Sequence, residues 1–156
     1  MKILIGTPNY NKSINDDMAD DLIRVCVNLV QKGWAVDWHH PSSPFVAFSR
    51  NLIARKALKE EFDWLLFWDA DIQISTPQIV EKLIETAHKY NSLVVAVPVK
   101  IKMPDREIYN LAFKKDKAYE NVVECKKEPF EIDVAGAALM LIKPQLFLKL
   151  ERPYFN

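Results

Sequence analysis

Cysteine is scarce in this sequence, and an excess of charge of either sign is absent. The two cysteines, Cys26 and Cys125, lie far apart and form no Cys-x-x-Cys pair, so a structural zinc site is not expected. Two isolated cysteines suit a reducing compartment, and we expect a cytoplasmic protein. The 21 basic residues balance the 21 acidic residues, and this lack of basic excess argues against sequence-independent binding to nucleic acid.

Long apolar runs are also missing. No stretch approaches the roughly 20 apolar residues that a membrane span needs, so no transmembrane segment is expected. The N-terminal run MKILIGTP is too short for a signal peptide and is typical of a first strand. With 156 residues, of which 49% are hydrophobic and 27% charged, the chain has the composition of one globular domain with a substantial core.

Apolar runs and helical stripes alternate along the first 98 residues. Strands are predicted at 2–7, 35–39, 64–68 and 93–98. Helices are predicted over 16–32, from the Ser43-Pro44 pair to about residue 60, and from the Thr76-Pro77 pair to about residue 87. This βαβαβαβ order predicts an α/β fold with a mostly parallel sheet flanked by helices. The run WLLFW at 64–68 has no polar alternation, which is typical of a central strand covered on both faces.

The pattern changes after Pro98. Short strands joined by charged turns are predicted at 108–113, 118–125, 130–134 and 137–142, followed by a short helix from Lys143-Pro144 to about residue 150. We therefore expect a small antiparallel part at the C-terminal side of a single domain. The aromatic pair Tyr154 and Phe155 is unlike a frayed terminus and predicts a segment that packs.

The triplet Asp69-Ala70-Asp71 directly follows the predicted central strand. Residues i and i+2 of an extended chain point the same way, so both carboxylates are predicted to face one point beyond the strand's carboxyl end. Ligands bind there in open α/β sheets. Paired carboxylates are hard oxygen ligands suited to Mg²⁺ or Mn²⁺, which complete their shells with water and substrate phosphates. The alternative is that the two aspartates merely begin a solvated loop.

The segment FDWLLFWDADI resembles the Asp-x-Asp region of glycosyltransferases with the GT-A fold. The resemblance extends, in the same order along the chain, to GTPNYN, SRNLIARKAL and VAGAALMLIKP. It implies one GT-A-like domain over 1–156, with a nucleotide-binding half at 1–98 and an acceptor-side part at 99–156. It also implies a nucleotide-sugar donor, a divalent cation (Mn²⁺ or Mg²⁺) as cofactor, and transfer of the sugar to a hydroxyl of a sugar, lipid or protein acceptor.

The same resemblance implies roles for particular residues. Asp71 would be the direct metal ligand, and Asp69, with Ala70 beside it, would lie near the ribose or reach the metal through water. The nucleobase would lie at the end of the first strand, against Thr7, Pro8, Asn9 and Tyr10. There Thr7 and Asn9 would hydrogen-bond the base edge and Tyr10 would stack on it. An ordinary strand-to-loop turn is the alternative interpretation of this segment.

Further candidates lie on either side of the triplet. Arg50 would face the donor, where a guanidinium can pair bidentately with a diphosphate, and Asn51 beside it is a weaker candidate. Gly136 would let the backbone approach the sugar, and Asp133 would bind sugar hydroxyls or act as a general base. The alternatives are an exposed helix arginine, a strand-end carboxylate and a bulge glycine.

The sequence departs from the family pattern at two places. Asp37 is followed by Trp38-His39-His40, where many GT-A enzymes have a run of aspartates. The family usually continues beyond the VAGAALMLIKP-like segment, whereas this chain ends at Asn156, so we expect it to bind the donor and transfer the sugar poorly. Two other functions stay open: a non-catalytic nucleotide-sugar-binding domain or fragment, and a sugar-phosphate nucleotidyltransferase. The latter would favour a glycine-rich phosphate loop, but GTPNYNKSIN has a single glycine.

Overall fold

The computed structural model describes residues 1–10, 12–101, 107–116 and 118–155. Asn11, in the loop after the first strand, lies outside the described residues, as do residues 102–106, 117 and 156 of the predicted acceptor-side part. The strands, in chain order, are β1 (Lys2–Gly6), β2 (Ala35–His39), β3 (Trp64–Trp68), β4 (Val94–Ala96), β5 (Lys100–Ile101), β6 (Ile108–Tyr109), β7 (Leu111–Lys115), β8 (Ala118–Asn121), β9 (Val134–Ala135) and β10 (Leu139–Ile142).

In the described ranges, three α-helices and one 3-10 helix accompany the strands. They are α1 (Asp16–Gln31), α2 (Val46–Lys59), α3 (Ile79–Lys89) and the 3-10 helix Pro144–Lys149. None of these described helices combines the length and the apolar character that crossing a bilayer requires. Asn15 caps α1 by accepting a hydrogen bond from the Asp17 amide at 2.8 Å. Gly33, with φ +75°, follows the C-terminus of the helix.

Two helices begin later than the sequence predicts. The Ser43-Pro44 and Thr76-Pro77 pairs were expected to start helices, but α2 begins at Val46 and α3 at Ile79. The hydroxyl of Ser43 accepts from the Phe45 amide at 3.1 Å, and that of Thr76 accepts from the Gln78 amide at 3.4 Å. Each hydroxyl therefore stabilises a turn two residues ahead, before the helix has begun.

The central sheet has five strands in the order β2-β1-β3-β10-β4. β1 pairs in parallel with β2 and β3, whereas β10 is antiparallel to both β3 and β4. Four strands thus run in one direction, which confirms the prediction of a mostly parallel sheet. β3 is the middle strand, and its residues Leu65, Leu66 and Phe67 are fully buried, as the unbroken apolar run predicted.

The antiparallel strand β10 between β3 and β4 was not predicted. Leu139 pairs with Trp68 at the end of β3, and Met140 pairs with Ala96 at the end of β4. The chain therefore leaves and re-enters the sheet at the same edge, so β10 must run opposite to its neighbours. All four residues of β10 are buried, which suits an inner strand.

Short antiparallel strands connect β4 to β10. β5 pairs with β6, and β7 lies between β8 and β9 in a second small sheet. This confirms the small antiparallel part, although its strands are shorter than predicted. The strand expected at 130–134 is reduced to Val134–Ala135, because only these two residues pair with Leu111 and Ala112 of β7.

The sheet buries a different core on each face. Along β1, Ile3 and Ile5 face a cluster built with α1 and α3, and Leu4 faces a cluster built with α2 and the 3-10 helix. The C-terminal segment joins the second cluster. Phe155 packs edge-on against Phe67, with 5.4 Å between ring centroids, so the aromatic tail does pack as predicted.

Gly6, the last residue of β1, lies against α2. A Cβ at this position would lie 2.3 Å from Ile53 Cγ2 and 3.3 Å from Leu65 Cδ1. Since Cβ atoms do not approach a methyl carbon so closely, only glycine allows α2 to pack at this distance. This close packing sets how far α2, which also carries Arg50, stands from the sheet.

We expect Gly6→Ala to destabilise the fold by about 1–3 kcal/mol, because the added methyl overpacks the contact. Ile53→Ala alone should cost about 2–5 kcal/mol through the cavity that it leaves. The double variant should be more stable than the sum of the two changes predicts, because the new methyl then enters that cavity. Urea unfolding of the four proteins measures this coupling, and strictly additive changes would contradict the close contact.

Candidate functional site

A cleft of about 240 Å³ opens at the carboxyl ends of β1, β2 and β3. Its walls come from the loops that follow these three parallel strands. The lining residues are Pro8, Asn9, Tyr10 and Ser13 after β1, Ser43 and Val46 after β2, and Asp69, Ala70 and Asp71 after β3. Two segments that the sequence singled out separately, 8–10 and 69–71, thus meet in one cleft at the edge where open α/β sheets bind ligands.

Asn9 ties together the loops after β1 and β2. Its backbone amide donates to the Pro41 carbonyl at 3.1 Å, and its carbonyl accepts from the Ser43 amide at 2.9 Å. Its side-chain amide donates to the Ser13 carbonyl at 2.8 Å. The residue is only 4% exposed. Asn9 therefore fixes the wall of the cleft through contacts within the protein.

The Asp-Ala-Asp segment turns immediately after β3. The Asp69 amide donates to the Ala138 carbonyl at 2.8 Å, and the Asp69 carbonyl accepts from the Ile72 amide at 3.1 Å. The Asn15 amide donates to the Ala70 carbonyl at 3.4 Å. The expectation of an extended segment with alternating side chains was therefore wrong. Asp69 and Asp71 nevertheless both line the cleft.

Arg50 reaches the triplet from α2. Its Nη2 donates to Asp69 Oδ1 at 2.9 Å and to Asp69 Oδ2 at 3.0 Å. The two side chains are 18% and 25% exposed, respectively. Arg50 Nε is buried and finds no hydrogen-bond partner among the described residues. The guanidinium thus contacts the carboxylate through one nitrogen and leaves part of its donor set unused.

Burial dominates the electrostatics of Asp69. It raises the pKa of the Asp69 carboxyl above its ordinary value. The charge and the hydrogen bond of Arg50 lower that pKa, and the charge of Asp71 raises it further, and the net direction is upward. The ion pair therefore only partly compensates for the removal of this carboxylate from water. An additional cation would stabilise the ionised form.

Asp71 presents the second carboxylate. Its side chain is exposed, and within the described part of the chain it accepts no hydrogen bond and forms no ion pair. It can therefore take up a new ligand without breaking an existing contact.

The two carboxylates fit a cation that brings other ligands with it. Within the ranges that the structure describes, no group of three or more His, Cys, Asp or Glu side chains is arranged to hold a metal ion. Mg²⁺ typically takes one or two carboxylates from a protein and completes its octahedral shell with waters and substrate phosphates. Asp69 and Asp71 match that smaller donor set, and they do not match a closed structural metal site.

Thr7 lies beside the cleft and does not line it. The residue is fully buried. Its hydroxyl accepts a hydrogen bond from Trp38 Nε1 at 3.0 Å, and its amide donates to the His39 carbonyl at 2.9 Å. Its contacts therefore hold the ends of β1 and β2 together, and the geometry gives no support to direct contact with a base.

Asn51 holds the C-terminal segment and does not line the cleft. Its side-chain nitrogen donates to the carbonyls of Ala47 at 2.8 Å and Phe155 at 2.9 Å. Its side-chain oxygen accepts from the amides of Tyr154 at 2.8 Å and Phe155 at 3.3 Å. These four contacts occupy both ends of the amide, so the predicted role in substrate binding has no support from the geometry.

Asp133 and Gly136 belong to the small antiparallel part and do not line the cleft. The exposed Asp133 carboxylate accepts from the Lys114 amide at 2.8 Å. At Gly136, a Cβ would lie 3.1 Å from both Cβ and Nδ2 of Asn110. The side chain of Asn110 therefore packs against the backbone of Gly136, where the sequence led us to expect a sugar.

Sequence reasoning missed three residues of the cleft: Ser13, Ser43 and Val46. Ser43 had been interpreted only as a helix cap. Its position just after a strand of the parallel sheet was the signal that could have identified it, because loops at that edge converge. Tyr10 and Phe45, which are 74% and 73% exposed, place aromatic surface at and next to the same entrance.

No protein-family model matches the chain, and no curated protein matches it. Among solved structures, the chain is similar to the crystal structure of A197 from STIV, with a TM-score of 0.70 and 22% identity over 100% of this chain and 72% of that one. This similarity shows that the two chains share a fold. A structure of a glycosyltransferase involved in the glycosylation of the major capsid of PBCV-1 gives a TM-score of 0.46 and 13% identity, over 99% of this chain and 70% of that one, which is too weak to support a functional argument.

We expect Asn51→Ala to destabilise the chain by about 1–3 kcal/mol for the backbone groups of the tail that lose their partner. Asn51→Asp keeps the oxygen that accepts from Tyr154 and Phe155, but it places a second carboxylate oxygen against the carbonyls of Ala47 and Phe155 at a buried position. It should therefore cost at least as much as the alanine variant. Urea unfolding compares the three proteins. Equal stability of Asn51→Ala and the wild type would contradict the conclusion that Asn51 holds the C-terminal segment in place.

Proposed function

We propose that this chain is a metal-dependent glycosyltransferase domain of the GT-A type, which binds the diphosphate of a nucleotide sugar in the cleft after β1, β2 and β3. The observation that carries the proposal is the meeting of Asp69, Asp71 and Arg50 at the carboxyl edge of a mostly parallel sheet. Two carboxylates that fit a divalent cation, next to a guanidinium, are the groups that a metal-bound diphosphate needs.

The loop after β1 is the proposed contact for the nucleoside. Tyr10 is 74% exposed at the cleft, so its ring is available to stack on a base. Pro8 and Asn9 supply the adjoining wall, held in place by the hydrogen bonds of Asn9 to the neighbouring loop. Because Thr7 is buried beneath this wall, we assign it a supporting role.

The triplet is the proposed contact for the ribose and the diphosphate. Asp71, exposed and unpaired among the described residues, would hold the cation directly. Asp69, with Ala70 beside it, would lie next to the ribose and help to hold the cation. A bound divalent cation supplies Lewis-acid stabilisation of the charge that develops on the leaving diphosphate. Arg50 would add a second positive charge on the same side.

Glycosyl transfer breaks the bond between the anomeric carbon and the diphosphate oxygen and forms a bond to an acceptor hydroxyl oxygen. The proton of that hydroxyl must pass to a base. Among the described residues, the carboxylates that line the cleft are those of Asp69 and Asp71, and Asp133 accepts from the Lys114 amide outside the cleft lining. This observation favours a second candidate function, a nucleotide-sugar-binding domain without efficient turnover. A transfer assay with radiolabelled donors and several acceptors separates the two candidates.

The proposal predicts metal-dependent stabilisation by nucleotide. UDP or GDP at about 100 times its dissociation constant should add about 2.7 kcal/mol to the free energy of unfolding in the presence of Mn²⁺. This corresponds to a rise in melting temperature of roughly 5–10 °C for a chain of this size. A thermal-shift panel of nucleotides and nucleotide sugars, with Mn²⁺ and with excess EDTA, measures it. Equal shifts under both conditions would count against a cation-bridged diphosphate.

Asp71→Asn should remove most of the metal-dependent nucleotide binding, by at least about 100-fold, or about 2.7 kcal/mol. Because Asp71 is exposed, the variant should retain the wild-type free energy of unfolding to within about 0.5 kcal/mol. Asp20→Asn, at an exposed position of α1, is the matched control and should bind as the wild type does. Isothermal titration with UDP or GDP and Mn²⁺ tests the comparison, and wild-type affinity in Asp71→Asn would falsify the assignment.

A further inference from the structure

Arg50 lies where a chelating cation would lie on Asp69. A single nitrogen, Nη2, is 2.9 Å from one carboxylate oxygen and 3.0 Å from the other. A cation that binds a carboxylate through both oxygens takes this same position, equidistant from the two. As long as Arg50 stays there, Asp69 cannot chelate a metal ion.

The charges around the cleft reinforce this competition. Within the part of the chain that the structure describes, the carboxylate side chains of the cleft lining are Asp69 and Asp71. With Arg50 paired to Asp69, the guanidinium and the two carboxylates together carry one net negative charge. A divalent cation that arrives alone therefore meets one net negative charge and must either accept Asp71 as its only unpaired carboxylate or displace a guanidinium. Both routes weaken its binding.

A diphosphate changes the balance for Arg50. The Nε of Arg50 is buried without a partner among the described residues, and Nη2 alone contacts Asp69. A phosphate group can accept two parallel hydrogen bonds from the fork of a guanidinium, which a single bridging nitrogen does not exploit. Reorientation toward a diphosphate would give the unused donor a partner and release the carboxylate of Asp69.

We propose that Arg50 is an internal counter-ion of Asp69 that makes the binding of the divalent cation and of the diphosphate depend on each other. This inference rests on the proposed function, because it assumes that a metal and a diphosphate share the cleft. The free cation binds weakly while Arg50 occupies Asp69. The diphosphate draws Arg50 away, and Asp69 then joins Asp71 in holding the cation. The site thereby selects the metal–diphosphate pair over free metal.

Removal of the Arg50 charge should move two affinities in opposite directions. In Arg50→Gln, the affinity for Mn²⁺ alone should rise about tenfold, and the affinity for inorganic pyrophosphate at saturating Mn²⁺ should fall about tenfold, each within the 5–150-fold span typical of coupled sites. A residue that only clamps the diphosphate would leave the affinity for Mn²⁺ alone unchanged. A residue that only supports the fold would weaken both affinities.

The electron paramagnetic resonance signal of unbound Mn²⁺ gives the first affinity, and titration calorimetry with pyrophosphate gives the second. Arg50→Met, which keeps an apolar stem and lacks the charge, is the second neutral variant and should behave as Arg50→Gln does. Arg50→Lys keeps the charge and should bind Mn²⁺ alone as weakly as the wild type. Arg55→Gln, at an exposed position of the same helix, makes the same charge change away from the cleft and should leave both affinities within about twofold.

The outcomes separate the two proposals. If the wild type binds pyrophosphate only with Mn²⁺ and the neutral variants bind Mn²⁺ alone more tightly, both proposals are supported. A second outcome is that the wild type binds pyrophosphate only with Mn²⁺, but the neutral variants and the wild type have the same affinity for Mn²⁺ alone. The counter-ion role is then overturned and the donor proposal stands. If the wild type does not bind pyrophosphate in the presence of Mn²⁺, the donor proposal fails and the mutual dependence fails with it.

Discussion

A carboxylate at the end of a fully buried strand needs a counter-charge, and in this chain Arg50 provides it for Asp69. The contact is made by one nitrogen across both oxygens, and burial still keeps the pKa of Asp69 above its ordinary value. The pair therefore holds the side chain in place without fully compensating its desolvation. Because this compensation is partial, a further positive charge near Asp69 and the exposed carboxylate of Asp71 would be stabilising.

The position of that ion pair depends on how α2 packs. Gly6 lets Ile53 approach β1, and Asn51, in the same turn of α2, holds the C-terminal segment. The opposite side of the triplet is fixed by Ala138, which accepts from the Asp69 amide just before β10 begins. Helix α2, the C-terminal segment and the start of β10 therefore all help to position Arg50 and Asp69. Packing contacts that never touch a ligand thus determine the geometry of the cleft.

Periodicity of apolar residues was enough to predict the main elements of the sheet. WLLFW gave the middle strand, and the order of strands and helices up to Ala96 gave the parallel direction. The antiparallel insertion of β10 was not predictable in this way, because the run LMLI is apolar whichever way the strand runs. The site was predictable only in part. The position at a strand end identifies Asp69 and Asp71 as candidates. The structural role of Asn51 depends on Phe155, 104 residues away in sequence, and that of Gly136 depends on Asn110, 26 residues away.

We propose that a divalent cation joins Asp71 to a diphosphate in the cleft at the carboxyl ends of β1, β2 and β3. Anomalous diffraction at the manganese absorption edge tests it most directly, on crystals grown with Mn²⁺ and a nucleoside diphosphate that stabilises the chain. We expect one strong anomalous peak within coordination distance of an Asp71 carboxylate oxygen, about 2.0–2.6 Å, the span of hard-cation–oxygen bonds, with the diphosphate as a further ligand. A diphosphate bound in the cleft without a manganese peak, or a peak on other side chains, would contradict it.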